Sequence, residues 1–403
     1  MNDQDVVALA RWLSECGLTG VPETEILAEF CRRLNRDGFG LESGLVILDT
    51  LHPTHEGHAV RWRADEPETQ LIEYGSTHQG PQADAWRRSM FYAMLQSGET
   101  VMRRRLTPET VKEFPGLAEM LERGVTDDVK IIKRFTPAGS IGEMDCVYFD
   151  FATREPEGFS AAQLIDLERL APMLAIAMKA RALQRVAQNL VETYLGRDAG
   201  RLVLQGRIAR GAAERIDAVL WFSDLQGFTR ITDTAPPDEI VPLLNDYADS
   251  IIEAIHAEEG DVLKLIGDGV LAIFRGPRQE ACRAALSAAI RADAAIATLN
   301  ASRTERALPV TQMYVGLHVG AVHFGNIGSK GRLDFTVVGP AVNETSRIAA
   351  MCRSADQPLL ASEAFAEALG RDRYSLVSVG RFALRGVGRA QSLFTIDPAQ
   401  RRR

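Results

Sequence analysis

Two aspartates stand at points in the chain where a divalent metal ion could be held. Asp224 lies in residues 221–229 (WFSDLQGFT), and Asp268 lies in residues 264–269 (KLIGDG). Each follows an apolar run that ends at a glycine-containing turn, so we expect both carboxylates to project from strand ends into one site. Hard oxygen ligands of this kind suit magnesium or manganese carrying a nucleoside triphosphate. The pair therefore indicates phosphoryl or nucleotidyl transfer.

Taken singly, each candidate residue also has a purely structural explanation. The Asp-Gly step at 268–269 is a good hairpin turn without any metal, because it supplies the positive φ angles that the turn needs. Asp224 could simply end a strand, and Lys264 could be a solvated strand residue. Asn343 and Arg347, four residues apart on a predicted helix, could be an ordinary surface pair. The occurrence of all these motifs together, in this order, favours a shared site.

The ordered motifs resemble the catalytic domain of class III adenylate/guanylate cyclases, and the likeness runs from about Arg215 to Asp397. The motifs are FSDLQGFT at 222–229, KLIGDG at 264–269, DFTVVG at 334–339 and VNETSR at 342–347. The resemblance implies that Asp224, Leu225 and Asp268 bind two divalent metal ions, Mg²⁺ or Mn²⁺. One ion would activate the ribose 3′-hydroxyl for in-line attack on the α-phosphate, and the other would steady the triphosphate and the departing pyrophosphate.

The resemblance also implies which residues contact the nucleotide. Lys264 occupies the position where a lysine ammonium donates to N1 of adenine, whereas guanylate cyclases carry an acidic residue there. Thr336 occupies the second base-reading position, and Gly227 and Phe228 fall in the substrate-binding segment. The implied reaction converts ATP to 3′,5′-cyclic AMP and pyrophosphate. The alternatives are a guanylate cyclase and a catalytically silent cyclase-like module that binds nucleotide or dimerises.

Three further residues match catalytic positions of the family. The Asn343 position orients the ribose, and the Arg347 position supplies positive charge to the transition state. Arg385 stands where the family has a lysine that contacts the triphosphate, which keeps the charge but changes the hydrogen-bond geometry. In this family the metal-binding and base-reading residues of one site come from opposite protomers. The resemblance therefore implies a homodimer with active sites at the subunit interface.

Hydrophobic periodicity predicts the elements that position these residues. Apolar positions at 240, 244, 247, 251 and 255 predict an amphipathic helix from Asp238 to about Glu258. A βαββαβ order results, which is the split-βαβ pattern of ferredoxin-like folds. We therefore predict an α+β protein whose catalytic domain spans residues 213–403. The remaining predicted elements of this domain are strands at 218–223 and 311–320, a hairpin at 262–275 and a helix at 280–298.

Residues 1–158 are predicted to form a separate regulatory α+β domain of sensor-like size. Helical periodicity comes first, and strand-like stretches follow from residue 44 onward. This order vaguely resembles that of a GAF-type domain. The evenly spaced histidines 52, 55 and 58 invite a metal or haem hypothesis. In an extended stretch, however, the middle one points away from the other two, so we predict loop or surface histidines.

Residues 159–212 are predicted to form a long helical linker between the two domains. Ser160 and Gln163 form a capping box at its start. Leu164, Leu167, Ala171, Leu174 and Met178 then recur at the spacing of a coiled-coil seam. Two interpretations remain open: a parallel helical linker that joins two protomers, or one long helix that packs on its own domain.

Composition excludes several other classes of protein. The net charge of −8 argues against a broad nucleic-acid-binding surface. No apolar run approaches the ~20 residues that span a bilayer, and the five scattered cysteines form no Cys-x-x-Cys pair. We therefore expect a cytoplasmic protein without a membrane span. Its stimulus is then expected to act inside the cell, with a small molecule as one candidate regulator. The resemblance of Thr336 to the Thr subgroup of cyclases, some of which respond to bicarbonate, implies bicarbonate as another.

Overall fold

The chain divides into two compact units, Met1–Leu190 and Val191–Arg403. The computed structural model describes residues 1–135, 141–142, 144–370 and 376–397. Within that part of the chain, none of the helices combines the length and the apolar character needed to cross a membrane.

The first unit is built on a six-stranded antiparallel sheet. The strands are β1 (Leu41–Asp49), β2 (Gly57–Arg63), β3 (Gln70–Tyr74), β4 (Val101–Arg105), β5 (Asp127–Arg134) and β6 (Cys146–Thr153). They lie in the order β3-β2-β1-β6-β5-β4. The helices are α1 (Asp3–Thr19), α2 (Glu23–Arg36), α3 (Gly80–Arg87), α4 (Met90–Ser97), α5 (Pro108–Glu113), α6 (Ala118–Glu122) and α7 (Ala161–Leu195).

Two separate cores cover the two faces of this sheet. Neighbouring side chains along a strand point to opposite faces, so Ile131 packs with α1, α2 and α7, whereas Ile132 packs with α4. Val147 and Tyr148 divide in the same way. The sheet therefore lies between two helical layers, in an α+β unit whose likeness to a GAF domain stays a prediction.

The three evenly spaced histidines do not converge on one point. The rings of His52 and His55 stack at 3.8 Å between centroids. His58 is only 1% exposed, and its Nε2 lies 3.3 Å from Glu23 Oε1. The prediction of loop or surface histidines is therefore wrong for His58, because β2 turns that side chain into the core.

Helix α7 begins with the predicted capping box. Ser160 Oγ accepts from the Gln163 N–H at 3.3 Å, and the Ser160 N–H donates to Gln163 Oε1 at 2.8 Å. Leu167, Leu174 and Met178 are buried in the core of the first unit. Along this stretch the apolar seam packs on its own domain. The coiled-coil interpretation is therefore wrong for these residues, because the same spacing serves any apolar partner.

The second unit is built on an eight-stranded sheet. The strands are β7 (Ala213–Leu225), β8 (Asp261–Ile266), β9 (Gly269–Phe274), β10 (Met313–Gly328), β11 (Leu333–Val338), β12 (Leu359–Ser362), β13 (Leu376–Phe382) and β14 (Gln391–Ile396). The helices are α8 (Arg197–Leu204), α9 (Phe228–Thr234), α10 (Pro237–Ala257), α11 (Arg278–Glu305), α12 (Pro340–Ala355) and α13 (Glu363–Ala368).

The core of this sheet has the predicted ferredoxin-like arrangement. Chain order runs β7-α10-β8-β9-α11-β10, and antiparallel pairing places the strands as β10-β7-β9-β8. Helices α10 and α11 cover one face, where Tyr247, Ile251 and Ile255 are buried as their spacing predicts. Strands β12, β14 and β13 extend the β10 edge, and β11 pairs with the distal half of β10.

Glycines on β10 decide where α12 lies. The sequence predicts that this strand ends at Gly320, but it continues to Gly328. A Cβ on Gly316 would lie 2.6 Å from the backbone nitrogen of Ala349, and one on Gly320 would lie 2.8 Å from the Cβ of Ala341. These glycines therefore allow α12 to pack directly on the strand, and this contact positions the helix that carries the predicted catalytic residues.

Candidate active site

The two predicted metal-binding carboxylates meet at the end of β7. The turn between β8 and β9 lies beside that end because Ser223 pairs with Val270 in the sheet. The backbone N–H of Leu225 donates to Asp224 Oδ1 and to Asp268 Oδ2, each at 3.2 Å. One amide group therefore contacts both carboxylates.

These carboxylates are close enough to perturb each other. Burial, together with the neighbouring carboxylate of Asp268, raises the pKa of Asp224 to about 6. A cation bound to both groups would relieve this repulsion. No cluster of three or more metal-ligating side chains of the His, Cys, Asp and Glu types occurs in the described part of the chain. The pair fits Mg²⁺ or Mn²⁺, provided that substrate oxygens and water complete the coordination.

The segment after Asp224 turns sharply into α9. Gly227 has φ +67°, which favours glycine, and a Cβ there would meet nothing within 4 Å. Phe228 is half-buried against the core that α10 and α11 form with the sheet, and Leu225 is buried. These observations explain the turn and its packing. The roles of the three residues in binding metal or substrate stay predictions.

The predicted base-reading residues lie on β8 and β11. Lys264 forms an ion pair with Asp334, a residue whose role the sequence does not predict. Thr336 is 6% exposed, and its hydroxyl finds no hydrogen-bond partner among the described residues. A buried polar group of this kind is often one that meets a ligand. Asp334 and Thr336 are two residues apart on β11, and alternate residues of a strand share a face; no strand was predicted there from the sequence, so this signal was missed.

Asn343 and Arg347 lie at the edge of a cleft of about 710 Å³ where β11 ends and α12 begins. Arg347 packs against the loop between β13 and β14: a Cβ on Gly386 would lie 3.1 Å from its Nη1. Leu384 is buried and anchors this loop, whereas Arg385 is exposed and does not line the cleft. The lining residues are Val337, Val338, Gly339, Pro340, Val342, Asn343, Glu344, Arg347, Gly386, Val387 and Gly388.

Within one chain, the predicted site residues form separate groups. Asp224 joins Asp268 through the Leu225 amide. Thr336 and Asn343 belong to consecutive elements, β11 and α12. Across the described residues, no hydrogen bond or ion pair connects the aspartate pair with Asn343 or Arg347. This separation is what a site shared between two protomers would require.

Comparisons with known proteins identify a family for the second half of the chain. Residues 212–397 match the family model described as the adenylate and guanylate cyclase catalytic domain. The uncharacterized protein Rv1318c of Mycobacterium tuberculosis is 31% identical over 229 residues, which are 57% of this chain and 40% of that protein. Adenylate cyclase 1 of Rhizobium meliloti is 32% identical over 165 residues, 40% of this chain and 24% of that protein. The matched regions thus cover less than half of these relatives.

A solved structure is also similar over part of the chain. The adenylyl cyclase CyaB from P. aeruginosa is 22% identical, and the match covers 46% of this chain and 95% of that one with a TM-score of 0.42.

Proposed function

Residues 212–397 belong to the adenylate and guanylate cyclase catalytic domain family, and on this premise we propose that the protein is an adenylate cyclase. It converts ATP to 3′,5′-cyclic AMP and pyrophosphate. The position of Lys264 is the observation that favours ATP over GTP as the substrate. Its ammonium is held by Asp334, on the strand that also carries the buried hydroxyl of Thr336.

Each site residue then has a chemical task. Asp224 and Asp268, with Leu225 beside them, hold two divalent ions, Mg²⁺ or Mn²⁺. When bound, these ions lower the pKa of the ribose 3′-hydroxyl and neutralise charge on the triphosphate. Asn343 orients the ribose, and Arg347 stabilises the charge that develops at the α-phosphate. Arg385 is exposed beside Gly386, where it can reach the triphosphate, and Gly227 and Phe228 border the substrate.

The preference for adenine follows from hydrogen-bond complementarity. N1 of adenine is an acceptor that the Lys264 ammonium satisfies, whereas N1 of guanine carries a proton and would face that ammonium donor to donor. The Thr336 hydroxyl can donate or accept, so it completes the contact with the adenine edge. Guanylate cyclase remains the second candidate, because the Asp334 carboxylate beside Lys264 could accept from the N–H groups of guanine.

We propose that the active form is a homodimer in which each site draws its metal ligands from one protomer and its base-reading residues from the other. Three exposed apolar side chains support this proposal. Leu265 and Ile266 adjoin the turn that carries Asp268, and Val338 adjoins the α12 cleft; their exposed fractions are 56%, 47% and 42%. Exposed apolar surface beside a polar site is typical of an interface.

The direct test is product formation by the purified full-length protein with ATP or GTP, in magnesium or manganese. We expect cyclic AMP from ATP, at a rate at least about tenfold above that of cyclic GMP from GTP. Faster cyclic GMP formation would replace the adenylate assignment with the guanylate one. No product from either nucleotide, under every metal and regulator condition, would favour the silent module.

Asp334→Asn tests how the base is read. If Asp334 positions Lys264 for adenine, the variant raises the KM for ATP by about three- to tenfold, because the ammonium loses its anchor. Turnover of GTP is expected to stay unchanged. Asp356→Asn, at the far end of α12, is the matched control. A variant that loses GTP turnover and keeps the KM for ATP would show that Asp334 reads guanine.

Gly386→Ala tests the placement of Arg347. Gly386 has φ +73°, so a side chain there strains the loop, and the added Cβ would lie 3.1 Å from Arg347 Nη1, so the guanidinium must shift by a few tenths of an ångström. We expect kcat to fall about tenfold or more with little change in KM, because Arg347 acts on the transition state. Gly388→Ala, in the same loop, meets nothing within 4 Å and is the control. If the two variants had equal kcat values, the placement of Arg347 by Gly386 would not matter for catalysis.

We propose in addition that residues 1–158 regulate the catalytic domain. The helix α7, which packs on the first unit and ends inside the second, supports this proposal. A fragment of residues 191–403 is expected to differ from the full chain in basal rate or in its response to bicarbonate and small molecules. Identical rates for fragment and full chain under all these conditions would contradict regulation by the first unit.

A further inference from the structure

The first unit contains a cavity of about 1010 Å³. It lies between the sheet face that carries Tyr148 and the helices α3 and α4. Its volume is that of a pocket for a drug-sized or nucleoside-sized molecule. Neither the reaction proposed above nor the residues of the second unit use this space.

One wall of the cavity is aromatic. The ring of Tyr148 meets Trp86 edge-to-face at 5.6 Å and Phe91 at 5.1 Å between centroids. Phe91 and Tyr148 are buried, and Trp86 is half-buried. These rings hold one another in fixed orientations. They present π faces and edges to whatever occupies the cavity.

The lining of the cavity also contains acidic residues. The carboxylates of Asp49, Glu56 and Asp145 line the cavity, together with the guanidinium of Arg134 and the imidazole of His78. The Tyr74 hydroxyl donates to Asp49 Oδ1 at 2.6 Å. The backbone N–H of Thr77 donates to Glu56 Oε2 at 2.6 Å. Both donors are neutral groups, and they orient the two carboxylates.

The carboxylates of Asp49 and Glu56 both act on the Tyr74 hydroxyl. Burial and the charges of Asp49 and Glu56 raise the pKa of Tyr74. Gly57 makes this arrangement possible, since any Cβ there would collide with the Tyr74 hydroxyl at 2.1 Å. Asp49 and Glu56 are therefore held in place by the fold, whereas Asp145 is exposed.

We propose that this cavity binds a small organic cation, an amine or quaternary ammonium compound with an apolar or aromatic body. Aromatic faces attract a cation, and the attraction strengthens when the site is partly desolvated. The carboxylates supply the counter-charge, and the apolar body covers the aromatic wall. Nucleotides, bicarbonate and other anions would meet three carboxylates among the lining residues, which disfavours them.

Isothermal titration calorimetry on the full-length protein tests the charge requirement. The probes are 2-phenylethylammonium and benzyltrimethylammonium, with the similarly sized anion 3-phenylpropionate for comparison. We expect the cations to bind at least about tenfold more tightly than the anion. Equal or tighter binding of the anion would overturn the proposal, and so would the absence of binding by both cations at millimolar concentration.

Variants locate the binding in the cavity. Asp49→Asn keeps an oxygen that accepts from Tyr74 but removes the charge, and it is expected to weaken cation binding about fivefold or more. Trp86→Leu is expected to do the same through loss of the aromatic face. Asp84→Asn, on α3 but outside the lining, is the control that should bind as wild type does. Thermal unfolding confirms that each variant is folded. Cation affinity that is unchanged in both cavity variants would overturn the assignment.

Failure of this test and failure of the proposed cyclase reaction are separate results. The calorimetric readout needs no nucleotide and no divalent metal ion. Asp49 and Trp86 belong to the first unit, whereas the proposed reaction depends on residues of the second. If the protein forms cyclic AMP but does not bind the organic cations, only the cavity proposal is contradicted.

Discussion

Replacing Asp224 or Asp268 with asparagine is expected to lower the rate of cyclic AMP formation by about 1000-fold. Asparagine keeps the shape of the side chain but removes the charge that attracts a divalent ion. One backbone N–H of Leu225 contacts both carboxylates, so either substitution disables the same metal site. The double variant is expected to be about as inactive as each single one, because residues that act as a unit are not additive. Initial rates with Mg²⁺ and with Mn²⁺ measure the effect.

The matched control for this prediction is Asp233→Asn. Asp233 is exposed on α9, close in sequence to Asp224 but outside the carboxylate pair. Its substitution is expected to leave the rate unchanged, and thermal unfolding of all variants checks that the fold is kept. If Asp224→Asn retained more than about a tenth of the wild-type rate, the aspartate pair would not be the metal site.

Much of the catalytic unit follows from local sequence pattern. Amphipathic spacing predicts α10 to within one residue of its observed ends, Pro237–Ala257, and the Gly-Asp-Gly turn predicts the β8–β9 hairpin. The adjacency of Asp224 and Asp268 follows from the same reasoning, because strands that pair must bring their ends together. These features depend on a few neighbouring residues, so they can be predicted from the sequence alone.

Other features depend on residues that are distant in sequence. The sequence predicts a strand end at Gly320. In the structure, the missing side chain of Gly320 allows α12 to pack on β10. Leu167 and Leu174 have the spacing of an intermolecular seam but lie in the core of their own unit. Asp334 gained a role only when β11 placed it beside Lys264. In each case the role of the residue depends on a partner surface that the local sequence does not contain.

Mixing two inactive variants is expected to restore activity. Asp224→Asn removes the metal site of a protomer, and Arg347→Ala removes its transition-state charge. If each site takes its metal ligands from one protomer and Arg347 from the other, a mixed dimer contains one intact site and one doubly defective site. With free exchange, half of the dimers are mixed, so the expected rate is about a quarter of the wild-type rate.

A second mixture provides the control. Asp224→Asn and Asp268→Asn affect the same group of residues, so every site in their mixed dimer still lacks one carboxylate. No recovery is expected there. The rates are measured after incubation of equal amounts of the two proteins, with subunit exchange checked by mass photometry of size-tagged chains.

The mixing result decides between two ways of building the site. Within one chain, the described contacts join Asp224 to Asp268 and pack Arg347 against Gly386, but they connect neither group with the other. The exposed apolar residues Leu265 and Val338 lie beside the two groups, where a second copy would cover them. If exchange occurs and Asp224→Asn with Arg347→Ala stays inactive, both groups must serve one site within a single chain. The apolar surface would then require a different partner.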